Sequence, residues 1–212
     1  MKIFQIITVS EYGGAQTIVA NLIKSLSSEH ELFVLYGGDG EAWNTLGHNF
    51  TKIKLSNHRK EVSVRDLGLF LKLLYYRFKY KPDVVHLHSS KMGALGRIVF
   101  SPKKIVYTVH GFDSIRKAFS RFLIVEKLLK NRANKIIGVS QYDVDSMKEE
   151  GIYENVERIY NGVTDHALSQ EVEYKDLLTE KLYEIKRLYP RIIMCISRIS
   201  KQKKFRYCDT NA

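Results

Sequence analysis

The sequence predicts an α/β fold built on a doubly wound parallel sheet, and three observations predict it. Short runs rich in Val and Ile recur along the 212 residues, and most are continuously apolar, as strands covered on both faces are. Stretches of helical period separate them, which implies βαβ units with right-handed crossovers. With only three prolines and thirteen glycines, no low-complexity linker divides the chain, and no repeat of solenoid period is present.

In chain order, the expected strands are Lys2–Val9, Glu31–Tyr36, Thr51–Leu55, Asp83–His88, Lys104–Val109, Lys135–Val139 and Val156–Tyr160. Helices are expected at Ala15–Ser28, Val62–Tyr80, Lys91–Phe100, Ile115–Arg132 and Gln141–Glu150. Asn161-Gly162 ends this alternation. A further helical stretch runs from about Glu171 to Leu188, and Arg191–Ile196 ("RIIMCI") reads as the opening strand of a second domain. The expected organisation is a first domain over 1–165, a connection over 166–190 and a domain remnant over 191–212.

Hydrophobic residues at 44% and charged residues at 27% describe a globular chain. Two cysteines, Cys195 and Cys208, cannot build a disulfide framework and point to a reducing, cytosolic compartment. The apolar run after Met1-Lys2 is short, is interrupted by Glu11 and lacks a small-residue cleavage site, unlike a signal peptide. No run reaches about 18 apolar residues, so no spanning helix is expected. A net charge of +11 favours an anionic partner: nucleic acid, a phosphorylated substrate or an acidic lipid surface. No nucleic-acid-binding motif accompanies the charge.

Ligands of open α/β sheets bind beyond the carboxyl ends of the strands. Gly13-Gly14 lies there, between the first strand and the first helix. Without a Cβ the backbone admits a ligand closely, and the helix behind presents free N–H groups suited to phosphate or carboxylate. A tight turn with no ligand fits the glycines equally. Both G-x-G-x-x-G and G-x-x-x-x-G-K-[ST] are absent, which removes the usual dinucleotide and P-loop readings. His86 and His88 end a strand as "VVHLHSS" and share a face, half of a metal site with no acidic or cysteine partner at ligand spacing. Polar side chains lining a cleft are the alternative, with Ser89 and Ser90 placed to cap the next helix. His110 ends another strand beside Gly111, where it suits proton transfer, hydrogen bonding or a satisfied place in the core. Two segments alternate basic and apolar residues. One carries Leu67, Phe70, Leu71, Leu74, Tyr75 and Phe78; the other spans residues 115–135. Each fits an anionic lipid interface or an ordinary surface helix.

Six stretches taken together resemble the N-terminal half of the retaining GT4-type glycosyltransferases of the GT-B fold. They are "GGAQTIVANLIKSL", "PDVVHLHSSKMGALGRI", "VYTVHGF", "IIGVSQYDVDSMKEEGI", "IYNGV" and "SRISKQKK", in family order. The resemblance implies a Rossmann-like N-terminal domain and a nucleotide-sugar donor, with no metal or other cofactor. It places Gly13, Gly14, Gln16, His88, Ser89 and Asn161 in substrate or donor binding and His110 beside the reacting sugar as the catalytic candidate. Arg198 and Lys203 match the basic pair that neutralises the departing diphosphate. Gln16, Thr164 and Lys204 depart from the commoner Glu, Asp and Gly.

The resemblance also implies that nearly all of a C-terminal donor-binding domain is missing, so poor turnover and a labile tail beyond about residue 165 are expected. One coding of Lys203–Asp209 resumes the family pattern as Lys-Asn-Phe-Asp-Ile-Ala when a single A is removed, so a frameshift is expected. The function expected from the whole is sugar transfer from a nucleotide sugar to a lipid-linked or saccharide acceptor in surface or capsular polysaccharide synthesis, at the inner face of the cell membrane. The alternative is a non-catalytic module that binds anionic lipid or a phosphorylated ligand.

Overall fold

The computed structural model describes residues 1–44, 46–47, 49–56, 66–118, 122–162, 177–189 and 191. Seven strands form one sheet among them: β1 (Lys2–Ile7), β2 (Glu31–Gly37), β3 (Thr51–Ser56), β4 (Val84–His88), β5 (Ile105–Val109), β6 (Lys135–Gly138) and β7 (Val156–Arg158). Every pairing is parallel, and the order is β3-β2-β1-β4-β5-β6-β7. The direction of winding reverses between β1 and β4, which makes that junction the switch point of a Rossmann-like sheet.

The helices are α1 (Gly14–Leu26), α2 (Asp66–Tyr80), α3 (Ser90–Val99), α4 (Leu123–Leu128), α5 (Gln141–Glu149) and α6 (Leu177–Leu188). Side chains alternate across each strand, so the sheet feeds two cores. Phe4, Ile6, Phe33, Leu35, Val85, Leu87 and Tyr107 face one way, against Leu69 and Leu73 of α2, Met92 and Val99 of α3 and Met147 of α5. Ile3, Ile7, Leu32 and Val34 face the other way, against Val19 and Ile23 of α1 and Trp43. Each fully buried aliphatic side chain of this kind contributes about 1.5–3 kcal/mol, so a charge at Val19 would detach α1.

The helix expected over Ile115–Arg132 is not one regular α-helix among the described residues. A π-helical turn at Ser114–Ala118 and the short α4 replace it. A buried polar cluster holds α4 in place. Glu126 of α4 is buried and takes a hydrogen bond from Arg97 of α3 at 2.5 Å and from the Tyr107 hydroxyl at 3.1 Å. Arg97 is fully buried, donates also to the carbonyls of Gly93 at 2.9 Å and Leu129 at 3.2 Å, and lies 4.6 Å over the Tyr107 ring. Burial pushes the Glu126 carboxyl up, and Arg97 offsets part of that rise.

The chain divides into two compact units, Met1–Val163 and Thr164–Ala212. In the second, the described part is α6 with Tyr189 and Arg191; Tyr183, Ile185, Leu188 and Tyr189 of that segment are exposed. The expected strand Arg191–Ile196 beyond its first residue, Arg198, Lys203 and the tail lie outside the described residues.

Candidate functional site

The carboxyl rim of the sheet gathers Gly13, Gly14, Gln16, His88, Ser89 and His110 of the residues singled out from sequence. Beyond β1, residues 8–13 lead into α1, whose first residue is Gly14 and whose N-cap position is Gly13. Gly13 makes no side-chain cap, so the first amides of α1 are left without one, at the positive end of the helix dipole. Gln16 is buried and its Nε2 donates to the Val9 carbonyl at 3.0 Å, which braces the loop from within. The loop is held from outside by Gly40: its N–H donates to Ser10 Oγ at 2.9 Å, and a Cβ there would lie 2.3 Å from the backbone of Ser10 and Glu11. Sequence reasoning passed over Gly40, although "YGGDG" at the end of a strand is a visible signal of close backbone approach.

Across the switch point, the Thr8 and Ser89 hydroxyls share a hydrogen bond of 2.5 Å. Ser89 occupies the N-cap position of α3, but its side chain makes no cap bond. The capping expected of it is therefore replaced by a stitch between the carboxyl ends of β1 and β4. The helices that follow β1 and β4, α1 and α3, thus both begin without a side-chain cap at the crevice.

One sheet face near the rim turns polar. Gln5 of β1, His86 and His88 of β4, Thr108 of β5 and His110 just beyond β5 lie on it. His88 is fully buried; its Nε2 is 2.7 Å from Gln5 Oε1 and its Nδ1 is 3.2 Å from His110 Nε2. His86 Nε2 bonds Thr108 Oγ1 at 2.8 Å, and its ring lies against that of His88 with centroids 3.9 Å apart. Burial lowers all three histidines. It pushes His86 down to about 3, aided by His110, and holds His88 well below the ordinary range, aided by His86 and His110. His110 is lowered by burial, with Asp143 opposing. At neutral pH all three are uncharged. Among the described residues no group of three or more His, Cys, Asp or Glu is arranged to hold a metal ion.

His110 is followed by Gly111, which turns the chain at φ +97°, a left-handed conformation that L side chains rarely adopt. The Phe112 N–H then donates to Asp143 Oδ1 at 2.7 Å, while Ser140 caps α5 by accepting from the Asp143 N–H at 3.1 Å. The string Ser140-x-x-Asp143 is a capping-box pattern, so this anchor was legible but unused. Asn161 lies just past β7 and is exposed.

A family model described as Glycosyltransferase Family 4 matches residues 12–166. The chain belongs to that family. An uncharacterised 41.2 kDa protein in the cps region of Klebsiella pneumoniae is 25% identical over 92% of this chain and 55% of its own length. The crystal structure of Anabaena HepE with UDP and glucose superposes with a TM-score of 0.69 at 23% identity, covering 86% of this chain and 50% of HepE. Sucrose-phosphate synthase from Thermosynechococcus elongatus gives 0.57 at 17% identity, covering 77% and 48%. The family 4 chain therefore spans about half the length of these relatives, and its fold is that of a GT-B N-terminal domain.

Within this family 4 domain, the rim offers three chemical elements side by side. Helix amino ends at the switch point attract negative charge, hydroxyls at Thr8 and Ser89 exchange hydrogen bonds, and a neutral imidazole at His110 takes part in either sense of hydrogen bond. An open cavity of about 580 Å³ beside Lys2, Glu31, Lys79 and Asp83 sits at the opposite, amino edge of the sheet and has no part in this arrangement.

Proposed function

We propose that the chain is the acceptor-side half of a retaining glycosyltransferase that moves a sugar from a nucleotide-sugar donor to a lipid-linked acceptor in surface or capsular polysaccharide synthesis. The observation that carries this reading is the pairing of buried His88 with half-buried His110 at the carboxyl rim of a family 4 domain. HepE is described with UDP, glucose and UDP-glucose, and the Klebsiella relative lies in a cps region. In this reading His110 meets the reacting sugar, while Gly13, Gly14 and the start of α1 approach the diphosphate and the acceptor. Asn161 lies near the substrate. Arg198 and Lys203 neutralise the leaving diphosphate, where fixed positive charge is worth most.

The lipid-linked acceptor and a location at the inner membrane face are supported by α2. Leu69 and Leu73 of this helix are buried, and Phe70 and Leu74 pack against the core. Leu67, Leu71, Tyr75 and Phe78 remain exposed at 57–66% on another face, with Lys79 over the Tyr75 ring. Ile124 and Leu128 of α4 are exposed as well. An apolar stripe beside basic residues fits a shallow seat in anionic lipid. Among the described residues no helix is long and apolar enough to cross a membrane.

The test is sugar transfer by protein expressed from the whole coding region. Radiolabelled UDP-glucose and other nucleotide sugars are offered with a lipid extract, and label is counted in the organic phase. Label confined to water with every donor, together with no thermal shift by any nucleotide sugar, removes the enzyme reading and leaves the non-catalytic module. For the membrane part, Leu71→Glu/Phe78→Glu is expected to abolish sedimentation with anionic vesicles and leave the melting temperature within about 2 °C, since the replaced side chains are exposed.

A further inference from the structure

We infer that Gln5 is a positioning residue that sets the tautomer of His110 through His88. The inference rests on the reading of His110 as the group that meets the sugar. Gln5 is an anomaly in "KIFQIITV": an amide in the middle of an apolar strand, 1% exposed. Its side-chain carbonyl Oε1 is an acceptor only, so the facing Nε2 of His88 must carry the proton. A neutral imidazole has a single N–H, so His88 Nδ1 is then a bare lone pair. The facing atom, His110 Nε2, must donate to it, which places the proton of His110 on Nε2 and leaves Nδ1 unprotonated.

The chain Gln5 Oε1, His88, His110 therefore works as a two-ring relay of orientation. No net charge moves along it. It fixes which nitrogen of His110 is free to accept a hydrogen bond, or a proton, from a substrate hydroxyl. In its resting state His110 thus accepts at Nδ1 and does not donate there. His88 is the spacer: it is fully buried, and its two ring nitrogens face Gln5 on one side and His110 on the other.

Histidine-selective 15N labelling of residues 1–212 and long-range proton–nitrogen correlation read the tautomer of each ring directly. The expected result is protonated Nε2 and bare Nδ1 in both His88 and His110. Gln5→Met keeps the volume and removes the acceptor; both rings are then expected to show a mixture of tautomers. Gln5→Glu restores an acceptor and is expected to restore the wild-type pattern. A wild-type His110 protonated on Nδ1 overturns the inference, as does a Gln5→Met spectrum identical to wild type. Should Gln5→Met fail to fold, the wild-type and Gln5→Glu spectra still decide it. In a transfer assay, Gln5→Met is expected to lower kcat about tenfold or more with KM within about twofold, as for loss of an orienting group. The spectra need no turnover. A chain with the expected tautomers and no sugar transfer keeps the relay and loses the enzyme reading, whereas transfer with indifferent tautomers does the reverse.

Discussion

Strand β5 meets a buried polar network on each of its two faces, and the two are built on opposite terms. On one face Arg97, Glu126 and Tyr107 form a charged cluster between α3, α4 and β5. On the other, Gln5, His86, His88, Thr108 and His110 form a neutral one that reaches the rim. Tyr107 and Thr108 are adjacent in sequence and serve different networks because strand side chains alternate. The charged cluster is closed: Arg97 is fully buried and each of its three nitrogens has an acceptor. The neutral network ends in the half-buried His110 at the open side of the sheet. Closed and charged marks a structural clamp, whereas neutral and open-ended marks a place that meets something else.

Breaking the clamp is expected to give the largest effect. Glu126→Gln leaves Arg97 without a counter-charge in the interior, at a cost of about 3–5 kcal/mol. Urea unfolding followed through Trp43, the single tryptophan, measures it. Arg97→Met/Glu126→Leu together should recover much of the loss, because the desolvation penalty goes with the pair.

Acid distinguishes the two networks next. His86, His88 and His110 have folded-state pKa values below the unfolded value. Between about pH 6.5 and the lowered values, the unfolded chain binds protons that the native chain refuses. Stability is therefore fully present above about pH 6.5 and falls as the pH drops towards about 3, where His86 itself takes a proton. Each such proton contributes a slope of about 1.4 kcal/mol per pH unit. Glu126, raised by burial, pulls the other way, but one carboxyl opposes three histidines. A flat urea midpoint between pH 7 and 5 would break the assignment of the polar face as neutral.

Gly40→Ala tests how the rim is held. Its new methyl must push the backbone of Ser10–Glu11, and overpacking of this kind costs about 1–3 kcal/mol. Loss of nucleotide-sugar binding is expected with it, read as a smaller thermal shift. The smallest expected change in stability is from His110→Gln, under about 1 kcal/mol because the ring is half-buried and an amide retains a donor. Its effect on sugar transfer should nevertheless reach about a hundredfold. That divergence between stability and rate is the sharpest contrast with Glu126→Gln.

The sheet was legible because its signals are local. Apolar runs placed all seven strands to within two residues, and α1, α3 and α5 began and ended close to where their apolar spacing put them. In the helix expected over Ile115–Arg132, nothing local marked Glu126 as buried, because only the fold brings Arg97 and Tyr107 to it. The same limit applies to the site. Strand ends marked Gly13, His88 and His110, since a strand followed by a helix defines a rim. Gln5 was marked only as an amide in an apolar run, because its partner His88 is 83 residues away and becomes a neighbour only through the pairing of β1 with β4. Residues Arg198 and Lys203 belong to the segment outside the described residues and rest on resemblance.

The all-parallel order of the sheet has a kinetic consequence. Helices α1, α3 and α5 all follow strands that run the same way, so their amino ends point to one rim and their dipoles add rather than cancel. The attraction is built into the main chain, independent of any lysine. Replacing surface cations one at a time should slow the arrival of an anionic ligand only slightly. Raising the ionic strength, which screens backbone and side chains alike, should slow it far more.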